Sequence, residues 1–169
     1  SLLCGSEQYP LNDLMHILQN SSVAQEINAY TSEDYTTYVF STADEQDFYN
    51  LADIYTTCVL FPRLRTEPNI FGQQGIRIEY ADGKAQYNGI VYSELRLRNL
   101  DTAQNSLNFV SGQLYENLYG DTSPTFDAGG AIPDIFDLTY EDVMRVYDTY
   151  YTPSNMLVYT AGEQDISKT

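Results

Sequence analysis

The sequence predicts an α+β fold, and three observations carry that prediction. Several long segments place apolar residues three, four and seven apart. Fewer and shorter segments alternate as strands do, two of them flanking a Ser-Glu-Asp turn. No internal repeat links the segments, and helical and extended runs follow one another without a regular βαβ rhythm.

Taken in order, Pro10 can open a helix through "PLNDLMHILQN", with Leu11, Leu14, Met15 and Leu18 on one face and Asn20-Ser21-Ser22 ending it. Val23–Thr31 and Tyr35–Phe40 read as a hairpin turning at Ser32-Glu33-Asp34. Thr42 precedes the strongest helix, whose first turn is acidic and whose stripe is Phe48, Leu51, Ala52, Tyr55 and Val59; Pro62 stops it. "NIFGQQGIRIEY" fits a helix by Phe71, Gly75 and Ile78 and a strand by its alternating end, while Ala81-Asp82-Gly83-Lys84 is a turn. "YNGIVYSELRLRN" suits either helix or strand. A helix starting at Asp101 runs to Gly120, "DTSPTFDAGGAIPD" is a loop, and Thr139 caps a helix that Pro153 stops. "NMLVYTAG" reads as a final strand.

Composition narrows the function classes. Twenty-four acids against eight bases give a formal charge of −16, which repels phosphate backbones and argues against nucleic-acid binding. Such a surface attracts cationic peptides or metal ions, or simply keeps the protein dispersed. With 43% apolar residues and 16 Tyr, the 169-residue chain can bury a core. No apolar run reaches membrane-spanning length, and the opening "SLLCGSEQYP" has neither an initiator Met nor the basic-then-apolar plan of a signal peptide. No membrane partner is expected, and the compartment stays open, cytoplasmic or organellar before secreted. Cys4 and Cys58 match no Cys-x-x-Cys pattern; Cys58 falls on the apolar helix face as a small hydrophobe, and Cys4 is either buried or reactive.

The residues offer no complete active site. His16 is the one imidazole and lies on the exposed side of its helix, so no nucleophile has a base of the triad type. No glycine cluster has the spacing and Lys of a phosphate loop, and one His with two distant Cys makes no standard zinc set. Glu94 stands out as an acid in the mostly apolar "NGIVYSELRLR", where pattern alone reads it as a surface residue pairing with Arg98 four positions on.

"LLCGSEQYP", "INAYTSEDYTTYVFSTADEQDFYNLADIY", "FPRL", "GIVYSEL", "AGGAIPDIFDLTYEDV" and "YYTPSNMLVYTAG" follow one another here. In kind, order and interval they resemble the presequence-protease branch of the pitrilysin/insulinase superfamily, from Leu2 to Gly162. In that family the stretch resembling "SLLCGS" follows an inverted zinc motif, His-x-x-Glu-His, whose two His bind zinc and whose Glu activates water. The resemblance therefore implies that Ser1 follows the second His, with the general-base Glu upstream and no catalytic residue in the chain. It implies that residues 1–169 are a single partial N-terminal peptidase domain, without its first strands and motif helix. The family fold is a mostly antiparallel sheet with helices packed on one face.

Matched residue by residue, the family's third zinc ligand falls on Glu94, which would complete a His-His-Glu site with one position open. With Glu94 as its one ligand, the fragment is expected neither to bind zinc tightly nor to be active by itself. The family strand resembling "INAYT" pairs its backbone with the peptide to be cut, which puts Ile27, Asn28, Ala29 and Tyr30 in that role by strand addition. Ser93 stands where the family usually has Asn, Leu95 where it has Met, Ile76 where Trp is common, and "RLRNLD" replaces a Gly-containing stretch; these departures mark a divergent member. The implied function is a fragment of a zinc endopeptidase degrading peptides, basic ones included, or short unfolded segments. The alternative is a non-catalytic homologue serving as a peptide-binding or partner subunit, and an unrelated acidic binding domain ranks last. The remainder of the parent polypeptide is an expected partner, and an exposed sheet edge could pair two fragments as a dimer.

Overall fold

The computed structural model describes residues 2–100, 102–122, 125, 127–163 and 165. Helices and two small two-stranded sheets make up the described chain, so the α+β expectation holds. The chain divides into two compact units, Ser1–Ala29 with Tyr38–Ile70 and Thr139–Thr169, and Tyr30–Thr37 with Phe71–Leu138.

The first unit is organised by α2, Glu45–Leu60, whose N-cap Asp44 accepts a hydrogen bond from the Asp47 amide at 2.8 Å. Leu51, Tyr55 and Cys58 on one face of α2 are buried, and Leu3, Leu14 and Ile27 close over them as one core. Leu14 begins α1, Leu14–Ser21, four residues later than the sequence pattern suggested. The reason is a contact distant in sequence: the Arg63 guanidinium donates to the Pro10 carbonyl at 3.1 Å and to the Asn12 side chain, holding residues 10–12 out of a helical turn.

β1, Glu26–Thr31, and β2, Thr36–Ser41, form the expected hairpin. The Ser32 amide donates to the Tyr35 carbonyl across the turn, and the Gln25 amide donates to the Ser41 carbonyl at the open end. The ring of Phe40 on β2 packs 5.1 Å from that of Tyr55. After α2, Pro62 has its full side chain buried and is followed by a 3₁₀ turn, Arg63–Arg65.

A later helix, numbered α7 in chain order, spans Tyr140–Tyr150 and starts in a capping box between Thr139 and Asp142. The Thr139 hydroxyl and amide hold the Asp142 carboxyl below the usual range. Tyr147 on α7 donates toward the Val59 and Leu60 carbonyls at 2.8 and 2.9 Å, meeting two of the acceptors that the end of α2 leaves open. The final strand expected from "NMLVYTAG" does not form: residues 156–161 carry no strand, and Leu157, Val158 and Tyr159 are 92%, 74% and 83% exposed. Alternating apolar residues favour extension, but a strand exists only where a second backbone completes the ladder.

The ambiguous "NIFGQQGIRIEY" is both elements in succession: α3, Asn69–Gln74, begins in the last two residues of Tyr38–Ile70, and β3, Arg77–Ala81, lies in the second unit. β3 pairs antiparallel with β4, Lys84–Asn88, from Arg77↔Asn88 to Ala81↔Lys84. The expected Asp82-Gly83 turn adopts positive φ at both residues, 51° and 74°, as the twist of a tight hairpin requires. "IVYSELRLRNL" resolves to α4, Ile90–Leu100. α5, Thr102–Tyr119, follows and ends at Gly120, whose φ of 61° makes it a left-handed cap; the expected start at Asp101 lies outside the described residues. A short helix, α6, Ile132–Ile135, follows the loop. Among the described residues no helix is long and apolar enough to cross a membrane.

Leu51 is 1% exposed at the centre of the first core, so Leu51→Ala should cost about 2–5 kcal/mol of unfolding free energy in a urea titration. Burial raises the Cys4 thiol and pushes Cys58 up to about 11, keeping both protonated near neutrality. Ellman's reagent at pH 8 is therefore expected to leave both thiols of the native chain largely unreacted and to titrate both once it is unfolded in urea.

Candidate functional site

Two sets of residues bear on function, and each sits on a locally determined frame. The first is the strand segment Ile27–Ala29, in the first unit. Ile27 is buried in the core, Ala29 packs partly against it, and Asn28 between them is half-buried. The Tyr55 hydroxyl lies 3.4 Å from the Asn28 carbonyl and 3.1 Å from the Val39 carbonyl of β2. Counted by alternation from the Ser32 amide that meets the Tyr35 carbonyl at the turn, Asn28 turns its backbone toward the partner strand. Ile27 and Ala29 then direct their backbone polar groups to the opposite edge, because successive residues of a strand alternate. On that edge the Gln19 amide of α1 donates to the Ile27 carbonyl at 3.3 Å, and the Asn28 side-chain oxygen accepts from the Ala29 amide at 2.9 Å. Sequence reasoning missed Gln19, since a polar residue at the end of an amphipathic helix carries no signal of what its amide will reach. Tyr30, the last of the four predicted strand residues, is 51% exposed and belongs to the second unit.

The second set is Glu94 and the frame that carries it, all within the second unit. Gly89 precedes α4 with a φ of 151°, and a Cβ there would run into the Gly75 carbonyl oxygen. The same carbonyl accepts from the Tyr92 amide at 3.2 Å, so the start of α4 is pinned to the chain leaving α3. Leu95, 6% exposed, anchors the helix, and Glu94 beside it presents an exposed side chain. Leu in place of the family's usual Met is a volume-conserving change at this anchor.

The expected Glu94–Arg98 pair is not made. Arg98 instead donates to the Asp127 carboxylate at 3.1 Å and to the Gly130 carbonyl at 2.7 Å, tying the 127–130 loop to α4. A carbonyl and a carboxylate together outcompete one exposed helix neighbour, a pairing worth only a few tenths of a kcal/mol. Tyr87, Tyr92 and Phe136 pack as an aromatic cluster in the same unit, with Tyr87 and Phe136 centroids 4.9 Å apart.

Glu94 can offer one carboxylate, but among the described residues no three His, Cys, Asp or Glu side chains come together as a metal set. His16 is exposed on α1, and both cysteines are buried with raised pKa. The donors present fit a contribution of one ligand and no complete centre, so no reaction step can be routed through a metal held by these residues.

Comparison with known proteins gives consistent relatives. The chain is 38% identical over 99% of its length to the mitochondrial presequence protease of Drosophila melanogaster and 34% identical over 95% to that of Schizosaccharomyces pombe. It is 32% identical over 99% of its length to Protein HypA of Clostridium perfringens. The chain spans about one-sixth of the length of these relatives, 16%, 16% and 17% respectively. No protein-family profile matches it.

The Gly89 turn yields a test of how Glu94 is held. Gly89→Ala is expected to lower stability by roughly 2 kcal/mol through the forbidden approach to Gly75. Hydrogen exchange should accelerate at the Tyr92 amide, which depends on that carbonyl, and remain unchanged in α2.

Proposed function

We propose, from the premise that this chain belongs to the presequence-protease family of pitrilysin/insulinase metallopeptidases, that it is part of the first domain of a zinc-dependent endopeptidase acting on peptides and short unfolded segments. The similarity over 95–99% of the chain to proteins named presequence protease is the observation that carries this reading. Within it, Glu94 supplies one carboxylate ligand to a zinc ion whose other donors lie outside this sequence, and the bound zinc supplies Lewis-acid activation. An exposed acid beside the buried Leu95 on a rigid helix supports that role, because the side chain is free of the core while its backbone is fixed.

Ile27, Asn28, Ala29 and Tyr30 hold the peptide as an added strand. Main-chain pairing selects extended backbone over side-chain identity, which suits a degradative peptidase with many substrates. The net charge of −16 favours basic peptides among them. The remainder of the parent polypeptide is this segment's partner in that reading. The Drosophila and fission-yeast relatives are mitochondrial by name, and buried free cysteines suit a reducing setting, which supports an organelle or the cytoplasm over secretion.

The test has two parts. The coding sequence upstream of Ser1 should spell His-x-x-Glu-His. In the full-length protein Glu94→Gln should lower peptidase activity on the order of 100-fold or more and reduce zinc content after dialysis. An upstream helix without those His, or full zinc retention by Glu94→Gln, overturns the catalytic reading and leaves a peptide-binding homologue.

A further inference from the structure

The outward edge of β1 is covered by the protein's own side chains. A strand laid alongside Asn28, in either direction, requires the Ile27 carbonyl as acceptor and the Ala29 amide as donor, the two groups on either side of it that face away from β2. Gln19 Nε2 donates to the first and Asn28 Oδ1 accepts from the second. One side chain imitates a strand's N–H and the other its C=O. The Gln19 amide reaches in from α1, a separate element with an exposed face, so it can swing away without disturbing the ladder to β2. An open groove of about 320 Å³ lies at the Ile27 end of this edge, lined by Gln19, Ala24, Gln25, Glu26 and Ile27, and gives the displaced Gln19 amide room.

We propose that Gln19 and Asn28 are placeholders that satisfy the peptide-binding edge of β1 in the free protein and are displaced by the backbone of an extended peptide. The inference rests on the reading of Ile27–Ala29 as the peptide-pairing strand. An uncovered edge pairs indiscriminately with any extended chain, including another copy of the same protein. A covered edge makes each incoming strand replace an existing hydrogen bond, so the net gain per bond is small and only peptides that pair along several residues are held. Gln19 is thus a specificity-setting residue that touches the strand and not the reacting bond.

The experiment uses the full-length protein stripped of metal by chelation, so that binding is read without cleavage, and a fluorescein-labelled extended decapeptide followed by anisotropy. Gln19→Ala and Gln19→Met both remove the donor, and Met keeps the length and flexibility of the side chain. Both variants are expected to bind the peptide ~3- to 10-fold more tightly than wild type, the factor that one net hydrogen bond represents, with melting temperatures confirming that both are folded. The same peptide methylated on alternate backbone nitrogens reports the binding mode separately. Loss of affinity on methylation together with tighter binding by both variants supports the proposal. Loss on methylation with unchanged or weaker binding by the variants overturns the placeholder role while strand pairing stands. Affinity indifferent to methylation in either register shows that the peptide does not pair as a strand, and both readings fall together.

Discussion

One face of α2 governs the first unit. Leu51, Tyr55 and Cys58 lie along it, and removing that much apolar surface from water is the largest favourable contribution available to so small a core. Tyr55 adds a constraint that burial alone cannot supply. Its ring packs on Phe40 while its hydroxyl reaches the carbonyls of Asn28 and Val39, one on each strand of the hairpin. Tyr147 acts on the other end of the same helix by meeting the Val59 and Leu60 carbonyls. The helix is thus held in position along its length, and β1 is located by reference to it.

The candidate site follows from that anchoring. β1 is half inside and half outside: Ile27 contributes to the core, and the opposite edge of its backbone is left to side chains. A strand fixed by one buried residue and one tyrosine hydroxyl presents its outer edge as a rigid template, which is what strand addition requires. In the second unit the equivalent precision comes from backbone. Gly89 permits a close approach to Gly75 that no other residue tolerates, and Leu95 completes the anchoring of α4, so that the exposed Glu94 is carried on a fixed frame.

The acidic composition shapes what the fold can meet. Among the described residues, Arg65, Arg77, Arg98 and Arg145 form ion pairs, all on at least partly exposed side chains where each pair contributes little to stability. Most of the 24 acids therefore add to a field that draws cations and repels anions. That field is a property of composition and would survive considerable rearrangement of the surface.

Much of this was legible in the sequence because it is local. The amphipathic stripe of α2, the Thr139 capping box, the Asp82-Gly83 turn, the Ser32-Glu33-Asp34 hairpin and the Gly120 stop depend on residues within a turn or two of one another. The order of short motifs likewise indicated the family and marked Glu94 and Ile27–Tyr30. What the sequence could not determine depends on partners distant along the chain. Residues 10–12 stay out of α1 because Arg63 takes the Pro10 carbonyl, more than fifty residues away. "NMLVYTAG" has the pattern of a strand and no ladder to join. Arg98 turns to Asp127 and Gly130 and leaves Glu94, because a distant loop offers it two acceptors. Gln19 gains its role only because α1 places its amide over the Ile27 carbonyl. Sequence alone determined most of the elements, the charge and the kinship, all set by neighbouring residues or by simple sums. Tertiary structure decided which polar groups meet, since a hydrogen bond needs two groups within about 3 Å and a linear pattern does not encode that distance.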